Sequence, residues 1–381
     1  MKKILLATTI LSMSAGFAAA DVAVSGSARM GVVATDGAST FSSRIDMTFS
    51  GSGTTDSGLA FGAKFDADDA VGAHAGSQGS TYISGAFGKI SMGSLDSGDA
   101  SAVGQLASIG YTGLGYGNSI NYSADGTDGF GLFATSTTVD NVADGGGAKV
   151  LYTYAANGLS LSVSTAQLSN TAADHTAYGV GAAYTTGALT LAVGYGSTDV
   201  TVGNIKTNTT ALGAGTTAAV VALDGFAGSI TDTSVSAKYV TGATTIKAIY
   251  QVKELDVTRA ATTGSATATT TYTAVASTHT LSATSMGVSV VQAMDALTLT
   301  AYTVSTSVDT TLASTDLTVT RSGIGAAYNL GGGATLTGGY AVYNTPDVIG
   351  APTVASLAIT SRAALTSVSH NVFDLGVNFS F

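Results

Sequence analysis

The sequence has 381 residues, with 10% charged residues, 49 glycines, 2 prolines and no cysteine. Ordinary soluble domains carry about 25% charged residues, so this composition sets the chain apart from them, and the lack of cysteine excludes disulfide bonds. The formal net charge of −10 argues against a nucleic-acid partner, because binding to phosphates requires a basic surface.

The amino terminus has the pattern of a signal peptide. Lys2 and Lys3 form a basic start, residues 4–17 are largely apolar, and residues 18–20 are all alanine, as a signal peptidase requires. We expect residues 1–20 to be removed, which takes the formal charge from −10 to −12. The rest of the sequence has no run of about 18 consecutive apolar residues, so we expect an exported chain without a helical anchor.

The first three predicted strands each carry charge on one face only. Side chains of a strand alternate between its two faces. In residues 22–33, 41–50 and 59–68 the apolar side chains fall on one face, and the charged ones fall on the other. The charged set is Arg29, Arg44, Asp46, Lys64, Asp66 and Asp68.

Further strands are predicted between tight turns at one end and long connections at the other. The tight turns are residues 51–58, 86–88, 155–158, 185–187, 241–242 and 330–333. The long connections are residues 68–79, 96–117, 137–147, 197–232, 254–280, 305–316 and 344–368. Short turns on one side and long loops on the other are typical of an outer-membrane barrel. The segments number eighteen when residues 118–124 and 130–136 are included, and sixteen strands is an equally good interpretation.

The last strand has the clearest alternation of the chain. Every odd position of residues 372–381 carries an apolar side chain, and the positions between are mostly polar or small. The apolar set is Phe373, Leu375, Val377, Phe379 and Phe381, and the polar set is Asp374, Asn378 and Ser380. Because lipid offers no hydrogen-bond partner to a backbone, such a sheet must close on itself in a membrane.

Closure of the sheet decides which face carries function. An arginine directed at hydrocarbon near the bilayer midplane would cost about 2–4 kcal/mol, so Arg29, Arg44 and Lys64 are expected to face inward. A barrel of sixteen or more strands is too wide for side chains to fill and encloses water unless a loop blocks it. The sequence therefore predicts an all-β, antiparallel transmembrane barrel whose lumen is the functional site.

Several stretches resemble the general diffusion porins of purple alphaproteobacteria, a Gram-negative outer-membrane family. They are residues 24–31, 52–63, 84–90, 92–93, 151–154 and 375–381. The resemblance implies a homotrimer of sixteen-stranded barrels, embedded in outer-membrane lipid and lipopolysaccharide, with the third loop folded into each lumen. It also implies that Phe381 belongs to the signal read by the barrel-assembly machinery.

The same resemblance assigns a pore constriction. It implies a basic wall of Arg29, Arg44 and Lys64, and an acidic side of Asp46, Asp66, Asp96 and Asp99. Residues 96–118, the implied third loop, contain only the acids Asp96 and Asp99, whereas loops of this family are rich in carboxylates. We therefore expect a weak transverse field and less calcium binding than carboxylate-rich loops support. Tyr111 and Tyr116 are interpreted as packing this loop against the wall.

The pattern gives no support to catalysis or to a metal site. His74, His175, His279 and His370 are distant in sequence, and no metal-binding spacing or nucleophile motif is present. The function predicted is passive diffusion of small hydrophilic solutes and ions, without a cofactor. The alternatives are a substrate-specific channel of eighteen strands, which would need a ladder of lumen-facing aromatics, and a barrel or secreted low-complexity protein acting mainly as a surface adhesin or antigen.

Overall fold

The computed structural model describes residues 21–68, 79–114, 118–120, 122–123, 149–169, 174–202, 205–207, 221–223, 226–259, 263–266, 270–273, 277–310, 317–347 and 366–381. The expected signal peptide, residues 1–20, lies outside them. In the described part the strands are β1 Asp21–Thr35, β2 Ala38–Thr54, β3 Ala60–Asp68, β4 Ser80–Gly85, β5 Gly88–Gly93, β6 Lys149–Ala156, β7 Leu159–Ser169, β8 Asp174–Thr186, β9 Leu189–Val202, β10 Ile205–Thr207, β11 Val221–Leu223, β12 Phe226–Thr241, β13 Thr244–Arg259, β14 Thr263–Ala266, β15 Thr270–Thr273, β16 Ser277–Met294, β17 Leu297–Thr310, β18 Leu317–Gly331, β19 Ala334–Asp347 and β20 Thr366–Ser380. One helix, α1 Gly98–Val103, follows β5.

Sixteen of these strands form a closed antiparallel barrel. Each barrel strand pairs with the next barrel strand along the chain, and β20 pairs back with β1 from Ser27↔Ser380 to Thr35↔Val372. The remaining four form two small hairpins, β10–β11 and β14–β15, within long connections. The predicted all-β transmembrane barrel is confirmed, with sixteen strands rather than eighteen.

The predicted strand at residues 118–124 is wrong. Its described residues are not in a strand, and Ile120 and Tyr122 are buried inside the barrel with the loop that follows β5. Their alternation with polar residues comes from packing within this loop, which imitates the period of a strand. Residues 130–136 lie outside the described part.

The tight turns were predicted well and the long connections were predicted too long. Asn157 and Gly158 both have positive φ, 51° and 82°, which is the two-residue turn that matches the twist of a hairpin. At the other end the barrel strands continue into predicted loops, for example β9 to Val202, β13 to Arg259 and β17 to Thr310. These strand ends are rich in threonine, serine and charged residues, with apolar residues such as Val200 and Leu255 among them, so their composition resembles that of a loop although backbone pairing continues.

The two faces of the wall differ in chemistry as the alternation predicts. In β7, Leu161 and Val163 are exposed on the outside, while Ser162 and Ser164 are buried inside. Large exposed apolar side chains cover the exterior, among them Val24, Phe65, Ile90, Leu191, Val288, Ile324 and Leu375. Exposed tyrosines, which are typical of the interface between membrane and water, include Tyr152, Tyr154, Tyr184 and Tyr195.

The hydrophobic core lies inside the barrel, between the wall and the loop after β5. The loop contributes Ala100, Val103, Leu106, Ile109, Leu114, Ile120 and Tyr122, and the wall contributes Ala192, Ile249, Tyr302, Val304 and Ala341. This confirms the predicted folding of the third loop into the lumen. In the described part of the chain, no helix has the length and apolar character needed to cross a bilayer.

Candidate functional site

Five charged side chains form a group on the inner wall, on the neighbouring strands β1, β2 and β3. We call it the wall group, and it consists of Arg29, Arg44, Asp46, Lys64 and Asp66. Arg29 and Arg44 are directly paired residues of β1 and β2, and Lys64 of β3 pairs with Ser50 of β2. The apolar neighbours of these residues, such as Phe49 and Phe65, stack on the outside with ring centroids 4.9 Å apart. The alternation of each strand therefore directs all five charges to the lumen.

Each of two cations in the wall group has a carboxylate two residues along its own strand. Arg44 Nη2 lies 3.3 Å from Asp46 Oδ2, and Lys64 Nζ lies 3.9 Å from Asp66 Oδ2. Thr48 Oγ1 also donates a hydrogen bond of 2.6 Å to Asp66 Oδ1. The paired side chains remain 30–54% exposed. Asp46 and Asp66, assigned by the resemblance to the acidic side of the constriction, thus lie on the same wall as the basic residues.

Arg29 joins this wall to the inward loop. Its Nη1 donates a hydrogen bond of 3.2 Å to the carbonyl oxygen of Tyr111. The Tyr111 side chain is buried, as expected for a residue that packs the loop to the wall, whereas Tyr116 lies outside the described part. Arg29 is therefore held at the edge of the loop.

The two acids of the loop are placed differently from each other. Asp96 is exposed, but Asp99 in the first turn of α1 has no exposed surface. Asp99 occupies a recess of the wall formed by Gly179, Gly194 and Gly196, where the missing side chains make room for it. The expected role of Asp99 in lining the constriction does not fit this burial, because the side chain faces the wall.

The surface that the loop presents to the lumen is largely uncharged. Ser101 of α1, and Gln105 and Ser108 after it, are exposed in the described part of the loop. On the opposite wall, Lys89 of β5 lies over the ring of Tyr82 of β4, with its Nζ 4.4 Å from the ring centroid. The wall group and Lys89 therefore place accessible charge of both signs on the β1–β5 wall.

Polar tethers fasten the loop along the inner wall from β7 to β1. The amide of Gly98 donates to Ser164 Oγ at 2.8 Å, Lys247 Nζ donates to the carbonyl of Val103 at 2.6 Å, and the amide of Ala107 donates to Ser289 Oγ at 3.1 Å. The remaining tethers come from Thr198, Asp232, Ser236, Arg321, Tyr343 and Asp374. Sequence reasoning did not assign these roles. The sequence pattern could have indicated them, since each is a polar residue on the inward face of a strand.

Asp374 holds the tip of the loop with two hydrogen bonds. Its Oδ2 accepts hydrogen bonds from the amide and the hydroxyl of Thr112, at 2.8 and 2.6 Å, and the side chain has no exposed surface. Because the tethered strands run from β7 round to β1, the loop covers that arc of the wall. The charged side chains of β2 and β3 stay accessible, so the aqueous path lies between the loop and this open arc.

A further polar contact lies at the loop-side rim of the barrel, outside the lumen. Asp36, in the turn between β1 and β2, is 2.7 Å from His370 Nδ1 of β20 and accepts a hydrogen bond of 2.8 Å from the amide of Asn371. These hydrogen bonds hold the pKa of the Asp36 carboxyl below its ordinary value of 3.8. Among the described residues, no three His, Asp or Glu side chains are grouped so as to hold a metal ion.

Comparisons with known proteins agree with this architecture. A family model described as Gram-negative porin matches residues 7–283. A porin from Rhodobacter capsulatus is 35% identical over 367 residues, covering 95% of this chain and 100% of the relative. A solved porin structure is similar with a TM-score of 0.64 at 31% identity, covering 95% of this chain and 100% of that one.

A more distant likeness extends the agreement in fold. The trimer form of OmpT, an outer membrane protein of Vibrio cholerae, has a TM-score of 0.64 at 16% identity and covers 95% of this chain and 99% of its own. At this identity the likeness concerns the fold alone. The family model and the Rhodobacter relative, together with the closed sixteen-stranded wall, show that the chain belongs to the Gram-negative porins and is a multi-pass β-barrel of the outer membrane.

Proposed function

We propose that this porin is a passive pore through which small hydrophilic solutes and ions diffuse between the inward loop and the open arc of β2–β5. The observation that carries the proposal is the one-sided fastening of the loop, which is tethered from β7 round to β1. The charged side chains of β2 and β3 are left in contact with water. A pore of this kind selects by its width and by the polarity of its lining.

Reconstitution of the purified protein in a planar lipid bilayer tests this function. We expect stepwise, ohmic conductance in simple salt solutions. A folded protein that gives no conductance at any concentration would favour the surface adhesin instead. Saturation of the current by one class of sugar would favour the substrate-specific channel.

We propose only weak charge selectivity. The wall group places Asp46 beside Arg44 and Asp66 beside Lys64. Because these neighbouring charges are opposite, they cancel much of each other's electric field across the pore. The loop surface exposes serine and glutamine, and Asp96 is its exposed acid among the described residues, so the loop adds little negative charge. A shortage of exposed carboxylates likewise supports weak calcium binding at this loop, and the pore is proposed to work without a cofactor and without bond chemistry.

The lining also favours a general pore over a substrate-specific one. Specific sugar channels need successive aromatic rings along the path. On the open arc, the inward residues of β2 and β3 are serine, threonine, glycine and charged side chains, and Tyr82 of β4 is an isolated ring among the described residues there. Tyr302 and Tyr343 are inward aromatics of the opposite arc, where the loop packs over them.

We propose that the biological unit is a homotrimer joined through the exterior of β1–β5. The described outward residues of this arc are apolar or small, including Val22, which is 75% exposed, and Phe41, which is 93% exposed. The exposed tyrosines suited to a lipid interface instead belong to β6–β19. Strands β4 and β5 have only six residues each, so this part of the wall is too low to span a bilayer unless a neighbour covers it.

Native mass spectrometry in detergent tests the assembly. We expect a species of three chains, and an outward charge such as Phe49→Arg should convert it to a single chain. The exterior of the other strands is proposed to contact outer-membrane lipid and lipopolysaccharide.

Export and assembly complete the proposal. Residues 1–20 would direct export and be removed, and the carboxyl-terminal strand would be read by the barrel-assembly machinery. Phe381 is suited to such reading, since its side chain is 63% exposed on the exterior while its backbone pairs with Gly26.

A further inference from the structure

Inward glycines of the wall lie under the loop at successive points along its course. An ideal Cβ built on each of them would lie 2.5–2.9 Å from an atom of the loop, whereas ordinary contacts of a Cβ are 3.4–4 Å. We call these residues the glycine seat. They are Gly194 of β9, Gly287 of β16, Gly325 of β18, Gly339 of β19 and Gly376 of β20, and they lie under Asp99, Leu106, Ile109, Gly110 and Tyr111 in that order.

Glycine in a strand weakens the strand, so its presence here needs a reason. A strand glycine often marks a place where another backbone approaches closely. At Gly339 the backbone of the loop makes such a close approach. The backbone nitrogen and Cα of Gly110 lie 2.8 and 2.9 Å from the built Cβ. Gly110 itself has a φ of 74° and lies against the Asp374 carboxylate, so neither partner tolerates a side chain.

The seat fixes the depth of the loop in the lumen. A backbone cannot rotate away from a methyl group as a flexible side chain can, so any side chain at Gly339 must displace the loop itself. The displacement is directed away from the wall, toward the open arc of β2–β5. The width of the aqueous path therefore depends on residues that never touch a permeating solute.

We propose that the glycine seat sets the size limit of the pore, with Gly339 and Gly287 as positioning residues that act through the loop. This inference rests on the proposed diffusion function and adds the residues that determine its selection by size. The tethers hold the loop against the wall, and the glycines determine how close it comes.

A matched pair of neighbours on β19 tests the proposal. Gly339→Ala faces the loop, whereas Gly338→Ala faces outward and its built Cβ meets only Leu375 Cδ1 at 3.1 Å and the Asp374 carbonyl at 3.3 Å. Liposome swelling with sugars of increasing size gives the ratio of large-solute to small-solute permeation. We expect Gly339→Ala to lower this ratio by about twofold or more, because pore diameter governs selection, and Gly338→Ala to leave it unchanged. A wild-type ratio for Gly339→Ala, or an equal change in both variants, would overturn the proposal.

A second test removes the colliding group and remains informative if Gly339→Ala does not fold. The built Cβ of Gly287 lies 2.5 Å from Leu106 Cδ1. Leu106 is buried in the hydrophobic core, so its side chain has little room to turn away, and Leu106→Ala deletes the colliding atom. Gly287→Ala should lower the size ratio in the wild-type loop and have no effect in the Leu106→Ala background, since interacting sites are non-additive. Equal effects in both backgrounds would refute control through the loop. Loss of conductance in the unmodified protein would refute the diffusion function instead, so the two failures can be told apart.

Discussion

Replacing Asp374 by alanine should release the tip of the inward loop without unfolding the barrel. Asp374 is fully buried, and its carboxylate accepts two hydrogen bonds from Thr112, one from the amide at 2.8 Å and one from the hydroxyl at 2.6 Å. Hydrogen bonds to a charged group contribute about 1.5–3 kcal/mol each. Because water can enter the space left by the carboxylate, we take about 3 kcal/mol as the loss for the pair.

That loss corresponds to a change of roughly 100-fold in the opening equilibrium of the tip, since about 1.4 kcal/mol equals a factor of ten. Hydrogen exchange of the Thr112 amide in the detergent-solubilised protein measures this opening directly, because that amide is one of the two donors. We expect its exchange in Asp374→Ala to accelerate by about two orders of magnitude. Amides of β7, on the far side of the barrel, serve as the internal control and should keep their protection.

Exchange of Thr112 within about twofold of the wild-type rate would show that Asp374 does not hold the tip. Acceleration spread equally over β7 would instead indicate general destabilisation of the wall. Thr112→Val separates the contributions, because it removes the hydroxyl donor and leaves the amide bond to Asp374 in place.

Three further outcomes follow from the geometry. The double variant with Arg29→Ala and Arg44→Ala should shift the reversal potential toward cation preference. The control variant with Arg29→Lys and Arg44→Lys should not. An unchanged reversal potential in the alanine variant would show that neither arginine belongs to the constriction. Asp36→Asn should lower the thermal stability at neutral pH, and this difference should shrink as the pH falls below 3.8. A carboxyl with a lowered pKa contributes stability that is fully present above its ordinary pKa of 3.8 and is lost as the pH falls through the lower folded value. A stability difference that does not shrink in acid would contradict the role of this carboxylate. Val193→Arg, on the exterior of β9, should destabilise the folded barrel by about 2–4 kcal/mol, whereas Ser50→Arg on the lumen face should cost much less; equal costs in denaturant titrations would contradict the assignment of the two faces.

The sequence contained the information for most of the wall. Alternation in β1, β2, β3 and β20 was strong enough to assign both faces, and Asn157–Gly158 marked a hairpin because two successive positive φ values suit this pair. The sequence did not predict that β9, β13 and β17 extend as far as they do at their outer ends. These ends are rich in threonine, serine and charged residues, as loops are, and their backbone pairing with the neighbouring strands is visible only in the structure.

The loop was harder to predict than the wall. The shortage of carboxylates in it was visible, and Asp96 is its exposed acid in the described part. The weak transverse field expected from this shortage stays a prediction. The burial of Asp99 was not visible, because it depends on Gly179, Gly194 and Gly196 of β8 and β9, which lie about 80 residues or more further along the chain. Residues 118–124 misled for a related reason: an extended loop that packs Ile120 and Tyr122 on one side has the same period as a strand.

The location of the hydrophobic core has a consequence for the order of biogenesis. The wall residues that pack against the loop in the hydrophobic core, from Ala183 of β8 to Val372 of β20, belong to strands synthesised after it. Tyr111 at the tip of the loop lies over Gly376 of β20 and Gly31 of β1, on the two sides of the closing seam. A nascent chain that has not yet joined β20 to β1 offers the loop an incomplete docking surface. Docking of the loop is therefore a late event in maturation. The pore reaches its final width only when β20 has paired with β1.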